Sequence, residues 1–367
     1  MDSIVKKYSL EKGGREKLVR ELNGIISEFS KIRQKLKMQT PFKMKIATLA
    51  PDGTAWIVPA SDLVIPILAD ISQGVLNITL YTGGVMGEDL DILRKMKMGQ
   101  LHGCGCTAQG IISAAPELSV FSLPFLLKDY KEVDYVLKMF RKDIDSIFER
   151  RGIALFALID TGYFYLFMKN RASTLEEVKN QKFLTWFGET ERAFLGELGI
   201  TPIPLPVPEV VMSLRSGIVN ADIAPAAWVL GTQAYLSVDY FIEQPVFYSV
   251  AAIVLDKKAL LRDGARYGLT EKETDTLLRF SIKLTKIIRL EEVWNDRLRE
   301  YEKKCMKAFM DHGMKPLRLS DADIESMEAT GRKVWDKLAD KVYPRDLMER
   351  MVRAIAEYRQ KGGTRGK

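Results

Sequence analysis

The chain has 367 residues, 47% of them hydrophobic and 28% charged, with a formal net charge of +7. That length can bury a large core over two domains, and the mild basic excess, mixed with Asp and Glu along helical stretches, reads as a solvated surface and not as a nucleic-acid patch. His102 and His312 stand far apart, which argues against a histidine zinc site, and no stretch approaches the roughly 20 apolar residues of a membrane span.

Residues 1–8 show neither the basic start nor the apolar run of roughly 7–15 residues that opens a secretory signal; a mis-set start or a trimmed sequence is the expectation. Leu18, Leu22, Ile25, Phe29, Ile32 and Leu36 recur at three- and four-residue spacing, the stripe of an amphipathic helix. It reads as a helix docked on its own domain, a partner-binding helix being the sharper alternative. Gly13-Gly14 and Pro41 set residues 1–42 apart as an extension.

From residue 43 the order is strand, loop, helix, repeated. Residues 44–49 form a strand, and in the turn Ala50-Pro51-Asp52-Gly53-Thr54 either Asp52 or Thr54 is expected to cap the next helix. That helix runs through Trp56, Ala60, Leu63, Leu68 and Ile71, with Pro66 kinking or shortening it. A second strand at 76–81 leads into Gly83-Gly84-Val85-Met86-Gly87-Glu88-Asp89. The run lacks the lysine and Ser/Thr of a Walker loop and the spacing of a dinucleotide loop, so it reads as a glycine turn capping a helix.

Two units then share one pattern, a helix ending at glycine followed by a short strand. The first runs from Leu90 through Gly99 to Cys106, and the second from Pro208 through Gly217 to Ala224. Each glycine sits where a left-handed cap is needed, and each strand opens onto small residues at a strand end, where ligands bind in open α/β sheets. Cys104 and Cys106 point the same way from strand 103–106 but lack the second pair of a zinc site. They read as small buried residues, neither ligands nor a redox pair, and Cys305 lies in a helical segment.

Residues 116–127 and an amphipathic helix ending near Gly152 follow. The apolar run 153–160 reads as a central strand, interrupted by Thr161-Gly162 and continued by a second strand at 163–168. Further strands are expected at 182–186, 201–204, 221–224 and 248–255, with a helix capped at Gly199 between two of them. Beyond 255 the chain reads as helical: Thr270-Glu271-Lys272-Glu273 is a capping box for a helix running toward Gly313, and Ser320-Asp321-Ala322-Asp323 and Pro344-Arg345-Asp346 open two more. No G-x-S-x-G elbow, H-E-x-x-H or cysteine–histidine pairing stands out, so no catalytic residue, metal or cofactor is assigned. Weight shifts from enzyme to binding protein.

The succession Ala47-Thr48-Leu49-Ala50-Pro51-Asp52-Gly53-Thr54-Ala55-Trp56, then Gly83-Gly84-Val85-Met86-Gly87-Glu88, then Leu123-Pro124-Phe125-Leu126, then Leu175-Glu176-Glu177-Val178-Lys179-Asn180-Gln181-Lys182, then Leu214-Arg215-Ser216-Gly217-Ile218-Val219-Asn220-Ala221 resembles the DctP-like solute-binding subunit of TRAP transporters, the tripartite ATP-independent periplasmic systems. The resemblance covers residues 43 to about 319. It implies an α/β, two-lobed, periplasmic-binding-protein-like fold with a long bridging helix, to which this chain adds its N-terminal helix. Residues 43–160 with 250–319 make lobe I, 161–249 lobe II, and 270–367 the hinge-spanning and C-terminal helices. The lobes would close over a small organic acid and hand it to a large and a small membrane subunit, outside the inner membrane in the periplasm. A tetratricopeptide subunit known beside some relatives is a further partner.

In most of the family an arginine on the strand after the Leu-x-x-x-Lys segment clamps the ligand carboxylate, yet here Leu184 or Thr185 stands in its place. A leucine cannot replace a bidentate guanidinium. The residues expected at the ligand are therefore aromatic, small or helix-terminal: Asp52, Trp56, Met86, Gly87, Cys106 and Thr107 from lobe I, and Tyr163, Trp186, Phe187, Arg192 and Trp228 from lobe II. Amides after Asp52, Gly87 and Gly188 could hold an anion, with Arg192 as substitute partner. A sensory or scaffold module acting through its N-terminal helix is the alternative function, and an enzyme on the same fold the third.

Overall fold

Burial along β1 (Phe42–Thr48) alternates at its start and is continuous at its end, the pattern of a strand passing from an edge into a covered sheet. The computed structural model describes residues 15–35, 41–186, 188–287 and 289–362. They divide into two units, the first from Met1–Gly110, Phe148–Ile159 and Ala251–Leu298, the second from Ile111–Ile147, Asp160–Val250 and Arg299–Lys367.

In the first unit β1 lies between β2 (Leu76–Tyr81) and β3 (Gly103–Cys106), parallel to both, with Ile46 opposite Leu80 and Gly103. Parallel neighbours need crossovers, and the helices between these strands supply them. β3 also pairs antiparallel with the last residues of β9 (Phe247–Asp256), Gly103 opposite Leu255. The helix Arg15–Lys35 docks on this unit: Ile25, Phe29 and Ile32 are buried in one cluster with Ile67, Leu68, Ile71, Leu277 and Trp294. Each fully buried side chain of this size contributes about 2 kcal/mol, which decides for docking on its own domain. Leu36 and Gly13-Gly14 lie outside the described residues.

Pro66 acts as its chemistry requires. It has no N–H to give the carbonyl one turn back; residues Ala60–Val64 wind as a π-helix, and the α-helix that follows is only Ile65–Ile71. The expected side-chain cap at 52–54 does not form. Thr54 offers its backbone carbonyl to the amides of Ile57 and Val58, while its hydroxyl donates to the Pro51 carbonyl at 2.7 Å, and Asp52 is exposed.

Gly99 closes the helix Asp89–Lys97 at φ +70°, with its amide on the Met96 carbonyl and that of Gln100 on Lys95, the paired bonds of a Schellman cap. A Cβ there would fall 0.9 Å from Arg262 Nη2. Gly217, at φ +78°, also ends its helix, Val210–Ser216, in the left-handed region, with its amide on the Leu214 carbonyl at 3.3 Å and that of Val219 on Ser213 at 3.4 Å, but with open space around it.

β4 runs unbroken over Ile153–Met168, its first part in the first unit and the rest, from Asp160, in the second. Thr161-Gly162 therefore does not split it: Gly162 takes φ +99°, which glycine adopts without steric cost and without ending the strand. In the second unit β4 pairs antiparallel with β7 (Ala221–Pro225) and with β8 (Tyr240–Ile242), which pairs parallel with β10 (Lys315–Leu317). β8 and β10 went unforeseen because three residues are too few to show a period. β5 (Leu184–Thr185) and β6 (Ile203–Pro204) are shorter than expected, a two-residue parallel pair beside a bridge from Phe183 to Ala221. Phe194 packs edge-on against Phe125 and Phe247 in this core, at 5.8 and 5.5 Å.

The capping box forms, with Thr270 N on Glu273 Oε2 at 2.7 Å and Glu273 N on Thr270 Oγ1 at 3.3 Å. Its helix, Glu271–Ile287, does not run on to Gly313. It stops, Arg289 takes φ +51°, and a new helix Leu290–Asp311 begins in the first unit and ends in the second. Ser320 caps Asp321–Leu338 through the Asp323 amide, and Pro344 precedes Arg345–Gln360. Among the described residues no helix is long and apolar enough to cross a membrane.

Candidate functional site

In the first unit the strand-end residues gather around a carboxylate that sequence reading passed over. Asp89 is the first residue of its helix, and it reaches the loop after β3, where it accepts the Thr107 amide at 3.4 Å and the Thr107 hydroxyl. The Gly110 amide in turn donates to Thr107 Oγ1 at 3.3 Å. A Cβ on Gly110 would sit 2.5 Å from Asp89 Cγ, so the helix Ala108–Ala114 approaches closely only because glycine stands there. Burial pushes the Asp89 pKa up to about 6, against the hydrogen bonds from Thr107 that pull it down.

Cys106 and Thr107 are thus brought to Asp89. Met86 is half-buried, and its carbonyl accepts Lys95 Nζ at 2.7 Å. Gly87 has φ +91° and leaves no room for a Cβ, which would meet Asp91 at 2.8 Å. The helix start after Gly87 carries its own anions: Glu88 and Asp91 form a capping box that serves both the Glu88 amide and the amide three residues on, so those donors are taken. Trp56 packs, partly buried, against the core cluster.

Cys104 and Cys106 are joined in a disulfide, a correction to their reading as unpaired small residues. Residues two apart on a strand share a face, and that placed both sulfurs on one side. Asp89, Cys104 and Cys106 hold one donor atom each within 4.8 Å, but bonded sulfurs are not thiolates and thiolate is the metal ligand. Cys305 is a buried free cysteine whose pKa is pushed up to about 12 by burial.

The second unit holds the other candidates in two places, because neighbours on a strand face opposite ways. Tyr163 is buried, with its ring 5.1 Å from that of Tyr130 and 5.5 Å from that of Tyr248. Around these rings runs a polar network. Tyr130 donates to Glu302 Oε2, Tyr165 to Glu302 Oε1 at 3.1 Å, and Tyr248 to Asp160 Oδ1 at 2.5 Å. Arg299 gives Nε to Asp160 Oδ2 at 2.6 Å and both Nη groups to Asp134, and lies 4.3 Å over the Tyr130 ring. Burial opposes the Arg299 charge, but its hydrogen bonds to Asp134 and Asp160 hold the pKa above the ordinary value.

Phe164 points away from that network, to Trp186 and Trp228. The rings form a row, Phe164 to Trp186 at 6.3 Å with planes 29° apart and Trp186 to Trp228 at 5.3 Å and 31°. Two carboxylates fix Trp186: its indole Nε1 donates to Asp222 Oδ1 at 3.1 Å, and its amide to Glu191 Oε2 at 3.1 Å, which also accepts the Thr185 hydroxyl at 2.6 Å. Leu184 and Thr185 are buried on β5. Burial raises the Asp222 pKa to about 7, more than the Trp186 indole lowers it. Arg192 is exposed and paired with Glu189. Phe187 lies outside the described residues.

Asp89, Glu191 and Asp222 escaped notice as site residues. For Asp222 a signal existed: a charged residue inside the apolar run Ala221-Asp222-Ile223-Ala224 must find partners or lose its charge.

The fold is the two-lobed α/β fold of periplasmic solute receptors. It superimposes on the sugar acid binding protein DctPAm of Advenella mimigardefordensis, solved with galactonate, with a TM-score of 0.75 at 18% identity over 87% of this chain and 99% of that one. It superimposes on DctP7 of Bordetella pertussis, an extracytoplasmic solute receptor binding pyroglutamic acid, with a TM-score of 0.73 at 16% identity over 86% and 99%. The chain belongs to family 7 of the bacterial extracellular solute-binding proteins, the DctP family, matching it over residues 66–341. Among curated relatives, the ectoine/5-hydroxyectoine-binding periplasmic protein UehA of Ruegeria pomeroyi is 27% identical over 173 residues, 44% of this chain and 49% of that protein. The ectoine-binding periplasmic protein TeaA of Halomonas elongata is 27% identical over 162 residues, 41% and 46%. The chain thus matches about half the length of these curated relatives.

Proposed function

We propose that the chain is the solute receptor of a TRAP-type secondary transporter. It works in the periplasm, captures a small organic acid with apolar or aromatic surface, and delivers it to a large and a small membrane subunit. The role is binding without catalysis. The observation that carries this reading is the family match over residues 66–341; the row Phe164, Trp186 and Trp228 beside Leu184 and Thr185 supports the apolar character of the ligand. Ile25, Phe29 and Ile32 are covered by the first unit's core, so a tetratricopeptide subunit, as a third partner, would engage other residues.

The test is to denature the purified full chain and identify released small molecules by mass spectrometry, then return each to the protein. The expected result is an organic acid that raises the unfolding temperature, since a ligand at 100 times its Kd adds about 2.7 kcal/mol. Release of no solute, together with no stabilisation by any member of an organic-acid library, would overturn the reading.

A further inference from the structure

Cys104 and Cys106 are bonded to each other across a single residue, Gly105. A bridge between positions two apart closes too short a loop to restrict the unfolded chain much. Nor does β3 need it. Cys104 stands opposite Ala47 of β1 and Val254 of β9, and Cys106 opposite Ala252 of β9, so ladders on both sides hold the strand. The bond is dispensable to the fold, and what sets it apart is the acid placed against it. The Asp89 carboxyl and the two sulfurs lie within 4.8 Å of one another, with Oδ1 3.9 Å from Cys104 Sγ. The Thr107 amide and hydroxyl hold that carboxyl in place. Burial pushes its pKa up to about 6, where a carboxyl both gives and takes protons near neutral pH. The two sulfurs differ: Cys104 is fully buried, whereas Cys106 ends β3 and adjoins the half-buried Thr107.

We propose that Cys104 and Cys106 form a reversible thiol–disulfide exchange site, reduced by a thiol and reoxidised by a disulfide, with Asp89 as the proton carrier of Cys104. The site lies wholly in the first unit and is independent of the reading of the chain as a solute receptor. In reduction a thiolate of the reductant attacks Cys106 Sγ. The S–S bond breaks, a mixed disulfide forms at Cys106, and the electron pair leaves on Cys104 Sγ, which takes the Asp89 proton. A second thiolate then attacks the reductant's sulfur in the mixed disulfide, and Cys106 departs and is protonated from water. Two electrons pass to the chain and the reductant leaves as its disulfide. The two protons that the reductant loses to water return to the two cysteines, one of them through Asp89. Oxidation reverses these steps: the Asp89 carboxylate draws the proton off Cys104, whose thiolate displaces the oxidant's thiolate from Cys106.

The test treats the native full chain with dithiothreitol, removes it, and counts thiols with a chromogenic thiol reagent while circular dichroism follows the fold. The expected result is two reactive thiols gained per chain with the fold retained, Cys305 staying buried in both forms. Oxidised glutathione then abolishes them. In Asp89→Asn reoxidation at pH 7 slows about a hundredfold at its second step, so glutathione joined to Cys106 accumulates and is read by mass spectrometry. A merely structural Asp89 would alter the exposure of both sulfurs and change both steps alike. A pair that yields no thiols until urea unfolds the chain overturns the exchange site. Reoxidation of Asp89→Asn at the parent rate, with no mixed disulfide, overturns the part given to Asp89. Neither outcome touches the receptor reading, which stands or falls with the solute released on denaturation.

Discussion

Arg299 donates Nε to Asp160 Oδ2 at 2.6 Å, and so joins the first residues of two separate passages of the chain into the second unit. Asp160 is 1% exposed and Arg299 14% at the side chain. A pair this dry depends on both members, since losing one leaves an uncompensated charge. Arg299→Met is expected to cost about 3–5 kcal/mol in urea unfolding. Asp160→Asn combined with Arg299→Met costs less than the two singles summed, because the partners share one interaction. A loss below about 1 kcal/mol, the range of an exposed ion pair, would show that the pair is solvated.

Asp89 sets a pH dependence of opposite sign to ordinary acid denaturation. Its pKa is about 6 in the fold against 3.8 for the free side chain, so the folded state binds the proton more tightly. The neutral form is fully stabilised below pH 3.8, and this contribution falls by about 3 kcal/mol as pH rises through 6, then stays level. The difference in urea stability between parent and Asp89→Asn, measured from pH 4 to 7.5, should follow that course. A flat difference would place the carboxyl in water.

His102 acts in the reverse direction. Its Nδ1 accepts the Lys45 amide at 2.9 Å and its Nε2 faces Asp263 at 2.9 Å, which fixes the proton on Nε2. Burial lowers its pKa below 6.5, offset in part by Asp263. Its contribution is whole above pH 6.5 and falls as pH drops below that value, where the unfolded chain takes up the proton first. Nitrogen chemical shifts followed against pH should show the imidazole titrating below the ordinary 6.5, with the proton of its neutral form on Nε2; a midpoint at or above 6.5 contradicts the burial argument.

The two glycine caps should differ when replaced by alanine. Both positions have φ above +70° or at it, costing a side chain roughly 1–2 kcal/mol. Only at Gly99 does the new Cβ strike Arg262, which must swing away and release the Met98 carbonyl it holds at 3.2 Å, adding about 1 kcal/mol. Thermal unfolding of Gly99→Ala and Gly217→Ala should show the first as the less stable; equal losses would mean that Arg262 contributes nothing.

Much of the site's framework was legible in the chain. The glycine turn at 83–87, the strand at 103–106 and the helix stops at Gly99 and Gly217 are written in residues within a few positions of each other. The acids were not. Asp89 meets Thr107 and Asp222 meets Trp186 across 18 and 36 residues of sequence, and nothing local marks those pairings. Arg192 illustrates the converse: one turn beyond Gly188 it invited an anion, but Glu189 is on the same helix face and neutralises it.

By itself the sequence determined the longer helices and strands of the chain, the helix stops at Gly99 and Gly217, which stripe of the N-terminal helix is apolar, and that Leu184 or Thr185 stands where the family resemblance leads one to expect an arginine. These are matters of backbone sterics, local hydrogen bonding and side-chain period, which act over one or two turns. Only the tertiary structure decided that Ile25, Phe29 and Ile32 are covered by their own unit, that Cys104 bonds to Cys106, and that Asp222 and Glu191 stand behind Trp186. Burial removes water from a charge and obliges it to find a partner, and which partner is near depends on how distant segments pack.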